Sequence, residues 1–276
     1  MRNDISQKIK DYARTNPAIE SVFYVKRKND DEFYSIYTVA SEIIIAKLEE
    51  EFKGLFDDVI FVNRVKEKVE LDKNKFSYTT IDLYKMDNIK ISESIISSDL
   101  AEEFIKTLPA DVEFLYNKPG SKVLLPNNEF TFKSVKEYEF SQTVKNFFAA
   151  AIEVSLYISQ NNALAAAIRM EDLRDELVKM LKIHVVNKYK GGRDIGKDGS
   201  EFAHTLAKEY KDDFESTFHD INPISIYNSL FKACMLFRKI GMLEADFMGF
   251  DYDREVDVRT LRLLRNNYKR LESFLN

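Results

Sequence analysis

With a single cysteine, Cys234, the chain cannot close an internal disulfide, and with 8 glycines and 5 prolines in 276 residues it is neither collagen-like nor a low-complexity linker. No apolar run approaches the roughly 20 residues that a membrane-crossing helix needs; stretches such as Phe147 to Ile152 are far shorter. Neither a Walker phosphate loop nor a Gly-x-Gly-x-x-Gly fingerprint occurs, which removes the usual parallel-sheet nucleotide enzymes, and there is no Gly-x-Ser-x-Gly elbow for a serine hydrolase. His184, His204 and His219 have no i, i+3 or i+4 spacing among them, and Cys234 has no nearby partner, so a structural zinc site is not expected.

What is present is an ordinary globular composition, 45% hydrophobic and 32% charged, in a chain long enough for two domains. Forty-one Lys and Arg against 46 Asp and Glu give a net charge of −5. That balance argues against a broad nucleic-acid surface and makes a small cationic ligand electrostatically easier. The polar opening, Met1 to Lys10, does not resemble a signal peptide, so a cytoplasmic location without membrane contact is expected.

Along the chain, Ile5, Ile9 and Tyr12 have helical spacing and stop before Asn16-Pro17. The β-branched and aromatic runs 21–25 and 33–39 then read as paired strands. Ser41 reads as the cap of a helix carrying Ile44, Leu48 and Phe52 and ending at Gly54. Val59 to Val62 reads as a short strand, and 76–83 and 89–96 flank a hairpin turn at Met86-Asp87-Asn88. Pro109, Pro119-Gly120 and Pro126 mark an interdomain connection interrupted by the apolar Val112 to Tyr116. Beyond Lys133 the spacing turns helical and predicts a bundle of about five helices. The expected fold class is α+β, with residues 1–130 forming a mixed-sheet domain and 131–276 a helical bundle.

This order of parts fits a nucleotidyltransferase fold, and the C-terminal half resembles the aminoglycoside adenylyltransferases that modify streptomycin. The matching stretches are Asp111-Val112-Glu113-Phe114-Leu115, Lys133 to Tyr138, Asn146-Phe147-Phe148, Glu171 to His184, Ile195-Gly196-Lys197 and, most specifically, Ser229 to Lys239. The resemblance implies an enzyme that attaches the AMP of ATP to a hydroxylated acceptor. In that family a Gly-Ser pair lies near the phosphates, and an Asp-x-Asp pair with a third carboxylate holds Mg²⁺.

This sequence departs from that pattern. The Gly-Ser is absent, the Asp-x-Asp positions become Phe33 and Ser35, and the third carboxylate falls near Ser92. In a slipped register Asp30 and Glu32 are the substitute catalytic and metal-binding pair, against the plainer reading of a solvated turn. Glu93, or Asp82, is the substitute third carboxylate. The resemblance places Gly196, Lys197 and His184 toward the nucleotide and Glu171 toward a cationic substrate. Their plainer readings are an exposed loop, a core histidine bonded to a neighbour, and a surface ion pair with Arg174. Phe130-Thr131-Phe132 either stacks on adenine or packs in β-structure.

Two functions follow. One is an adenylyltransferase-like enzyme with a diverged site, using ATP and Mg²⁺. The other is a non-catalytic pseudoenzyme that binds a nucleotide or a cationic small molecule. A third role, in which the helical domain pairs into an oligomer, stands behind both.

Overall fold

A computed structural model describes residues 3–25, 33–41, 45–71, 74–105, 112–123, 135–190 and 202–275. The chain divides into two compact units, Met1–Thr131 and Phe132–Asn276. The first holds a mixed β-sheet with helices and the second is helical, an α+β architecture. Among the described residues no helix is long and apolar enough to cross a membrane.

The first unit opens with helix α1 (Asn3–Thr15), followed by β1 (Ile19–Val25), β2 (Phe33–Ala40), α2 (Ile45–Gly54), β3 (Val59–Leu71), β4 (Asn74–Lys85), β5 (Lys90–Ser97), α3 (Ser98–Ile105) and β6 (Val112–Asn117). The six strands form one sheet in the order β3-β4-β5-β2-β1-β6. Only the β2–β5 pairing is parallel. Because side chains alternate across a strand, the sheet has two distinct faces. On one, Val22, Ile36, Ile81, Leu83 and Ile91 pack under Ile9 of α1 and Phe52 of α2. On the other, Phe23, Val39 and Ile96 pack against Phe104 of α3, with the Tyr37 ring 5.5 Å from that of Phe104.

Several local expectations hold. Asn88 adopts the left-handed conformation (φ 63°) at the β4–β5 turn, a geometry asparagine tolerates, and Lys85 N donates to Ile89 O at 3.0 Å. Others change. β3 runs for 13 residues rather than four, because its continuation alternates Lys and Glu with Val, a pattern that protects an exposed edge strand while hiding it from an apolar-run reading. Val112 to Tyr116 is the opposite edge strand, not part of a connector: Phe114 pairs with Phe23 of β1 across a long sequence separation. The Ser41 hydroxyl donates to Ala18 O at 3.2 Å, and the first amides it was expected to cap lie outside the described residues.

The second unit is built on α4 (Glu137–Ser159), α5 (Ala163–Lys188), α8 (Pro223–Met248) and α9 (Arg254–Leu275), with the short α6 (Phe202–Thr205) and α7 (Lys208–Glu215) between them. Asn162 caps α5 by accepting from Ala165 N, and Asn222 caps α8, with Pro223 at its first turn and Gly249 (φ 72°) closing its end. The core stacks Phe147 on Phe237 at 3.8 Å between ring centroids and buries Leu173, Leu177 and Tyr227 around them.

Gly241, inside α8, is required by a close approach. A Cβ there would lie 2.8 Å from the Tyr252 ring, whose side chain is itself buried. Gly241→Ala is therefore expected to lower unfolding stability by about 1–3 kcal/mol despite alanine's better helix propensity, as measured by urea titration. Unchanged or increased stability would show that the Tyr252 ring moves aside without cost.

Candidate functional site

The parallel pairing of β2 with β5 sets Ser35 opposite Ser92, and the antiparallel pairing of β5 with β4 sets Ser92 opposite Asp82. The three residues form one row across three central strands, on the same face as Val39 and Ile96 but four residues along from them, beyond those anchors of α3. Asn63 of β3 extends the row, being paired with Asp82. The next rung holds Thr80 and Ser94, whose hydroxyls are 3.0 Å apart.

Both oxygens of Asp82 are engaged. The Ser92 hydroxyl donates to Oδ1, and the Lys90 ammonium lies 2.9 Å from Oδ2. Burial works against the Lys90 charge, but the hydrogen bond and charge of Asp82 outweigh it and hold its pKa above the ordinary lysine value. Lys90 also sits 5.2 Å over the Tyr84 ring, which stacks on the exposed Phe61. The result is a polar, charge-balanced row beside an aromatic platform.

A magnesium ion needs oxygen ligands free to turn toward it. Ser35 and Ser92 supply none of the required negative charge, and the one carboxylate of the row already serves an ammonium and a hydroxyl. Among the described residues no group of three His, Cys, Asp or Glu could hold a metal ion. The metal that the family pattern implies does not fit this row.

Glu93 belongs to the other face. It is in phase with Ile91 and Ile95, is 1% exposed, and accepts a hydrogen bond from the Thr38 hydroxyl at 2.7 Å, leaving Oε2 without a partner. Burial pushes its pKa up to about 8, against the smaller opposing effect of Thr38. The structure thus does not bring Glu93 to Asp82, and the expected third carboxylate is a core residue held neutral at pH 7.

His184, expected to bind nucleotide or to sit in the core bonded to a neighbour, lies in a buried network of the helical unit. Its Nδ1 is 2.7 Å from Glu244 Oε1, the Asn187 amide donates to Glu244 Oε2, and the ring meets Tyr210 edge-on at 5.1 Å. Glu171 is solvent-exposed and pairs with Arg174, the plainer of its two readings. Arg174 is buried, donates to Thr217 O at 3.0 Å and lies over the Phe218 ring, so Glu171 completes an arginine that staples α5 to the segment before α8. Asp30, Glu32, Gly196, Lys197 and Phe130-Thr131-Phe132 lie outside the described residues.

Sequence reasoning missed the Lys90–Asp82 pair and Glu244. The strand β5 carried a readable signal: Lys90, Ser92 and Ser94 alternate with Ile91, Glu93 and Ile95, which puts Glu93 in the apolar phase. Glu244 carried none, because it meets His184 and Asn187 only through helix packing.

The family model for streptomycin adenylyltransferase matches residues 3–266. This chain belongs to that family. Among solved structures it is similar to an aminoglycoside 6-adenyltransferase from Bacillus subtilis, with 17% identity over 97% of this chain and 99% of that one and a TM-score of 0.49. It is also similar to a nucleotidyltransferase-like protein from Exiguobacterium sibiricum 255-15, with 9% identity over 88% of this chain and 78% of the other and a TM-score of 0.38. None of the curated proteins matches it.

Proposed function

We propose that this member of the streptomycin adenylyltransferase family captures a nucleotide at the Ser35–Ser92–Asp82 row of its sheet without metal-dependent AMP transfer. The reading is carried by one observation: both oxygens of the sole carboxylate of the Ser35–Ser92–Asp82 row are already engaged, by Lys90 and Ser92. Adenylyl transfer must offset charge growing on the departing pyrophosphate, and a row that is neutral before any ligand arrives cannot recruit a divalent ion for that purpose. Hydroxyls, an ammonium and an adjoining aromatic platform suit holding a nucleotide more than cleaving it.

Calorimetric titration with ATP, once in Mg²⁺ and once in EDTA, tests this. Equal binding in both buffers is expected, with no pyrophosphate released in the presence of streptomycin. Asp82→Asn discriminates further through the sign of its effect. Without a metal, removing the carboxylate relieves repulsion of the phosphates and should tighten ATP binding about tenfold. If Asp82 were a metal ligand, the same change would weaken it. Magnesium-dependent binding that disappears in Asp30→Ala or Glu32→Ala would overturn the proposal in favour of a working transferase, and no binding in either buffer would remove the nucleotide.

A further inference from the structure

The face of the sheet that packs α1 and α2 carries a second feature, independent of the row above. Where β3, β4 and β5 extend along it, a groove of about 330 Å³ is lined by Arg64, Lys66, Ser77, Thr79, Ile95 and Ser97 together with Tyr78. The register makes this a compact set: Lys66 pairs with Thr79, and Thr79 with Ile95, so a cation, a hydroxyl and an apolar floor follow one another across three strands. Among the described residues no carboxylate lines it.

Three properties point to an oxyanion. Thr79 is 7% exposed, no hydrogen bond to its hydroxyl is seen among the described residues, and the same holds for the Ser97 hydroxyl and the Lys66 ammonium. The Thr79 oxygen keeps access to solvent, so it can exchange water for a ligand oxygen in the groove. Arg64 is held from one side by Glu49 of α2, which orients its guanidinium; its five donors exceed what one carboxylate consumes. Ile95, buried in the groove floor, offers apolar contact to whatever carries the anion.

We propose that this groove binds the phosphate group of a small phosphomonoester, with Lys66 and Arg64 opposing the charge, Thr79 and Ser97 donating to the phosphate oxygens, and Ile95 contacting the organic part. Free phosphate shares the same chemistry, so the test separates the two.

The full chain is titrated with phenyl phosphate and, separately, with inorganic phosphate, both at constant ionic strength and in EDTA. Phenyl phosphate is expected to bind more tightly; equal affinities would support the oxyanion site and identify free phosphate as its ligand. Lys66→Ala should weaken binding at least tenfold, the worth of one charge-assisted hydrogen bond, while Lys66→Arg restores most of it. Thr79→Val, which keeps the volume and β-branching, should weaken it several-fold with an unchanged melting temperature. Asp82→Asn, on the opposite face, should leave it within twofold, so failure here and failure of the nucleotide reading are distinguishable. Binding that Lys66→Ala leaves unchanged, or no binding of either compound, would overturn the proposal.

Discussion

Above pH 8, Glu93→Gln is expected to be more stable than the parent protein by about 4 kcal/mol, and below pH 4.5 the two should converge. The sign follows from linkage. Burial raises the Glu93 pKa from 4.5 to about 8, so between these values the folded protein holds a proton that the unfolded chain has released. Stability therefore falls as pH rises across that window and levels off above it, and the glutamine, which cannot ionise, does not share the fall. The cause is geometric: the carboxyl is 1% exposed beneath α1, and its one hydrogen bond comes from Thr38, with Oε2 unsatisfied. Urea unfolding of both proteins at several pH values reads the difference directly. Parallel curves would mean that water reaches Glu93 or that a cation pairs with it in solution.

Arg238→Ala should cost about 3 kcal/mol in the helical unit, far more than the loss of an ordinary surface cation. Arg238 Nε lies 3.0 Å from Oδ2 of Asp257, which is 0% exposed and sits in the first turn of α9. Burial raises the Asp257 pKa and Arg238 opposes that rise; neither carboxylate oxygen has a well-aligned hydrogen bond to share the load. Without the arginine the carboxylate is a buried, uncompensated charge. The double change Arg238→Ala with Asp257→Ala should recover part of the loss, giving a coupling energy above about 1 kcal/mol in a denaturant double-mutant cycle. Additive single effects would show that the two side chains do not depend on one another.

The long helices were legible because α4, α5, α8 and α9 carry apolar residues at helical spacing; the end signals Asn162, Asn222-Pro223 and Gly249, which bound α5 and α8, went unread. The sheet was legible strand by strand where apolar and polar residues alternate, and the hairpin at Met86 to Asn88 was legible from its turn residues. Its edges were not. β3 is disguised by charge and β6 depends on pairing with β1, which no local pattern encodes. The candidate site divides the same way. The family pattern located Ser35 and Ser92 as lost carboxylates, and register then brought Asp82 and Lys90 to them. His184 and Glu171 pair with Glu244 and Arg174 within the helical unit, contacts that only helix packing reveals for His184 and that the i, i+3 spacing gave for Glu171.

The one parallel pairing, β2 against β5, has a consequence for assembly. On its one side β3, β4 and β5 form a meander of neighbours in sequence; on the other, β1 and β2 form a second local pair. Each piece can form through short-range contacts, whereas the seam between them brings together residues more than fifty positions apart and pays the larger loop-closure entropy. The polar row crosses that seam, with Ser35 on one piece and Ser92 and Asp82 on the other. The row therefore does not exist in either piece alone. A nucleotide bound along it as proposed would act as a clasp across that seam, and in hydrogen exchange its signature would be slowed amide exchange along β2 and β5 together.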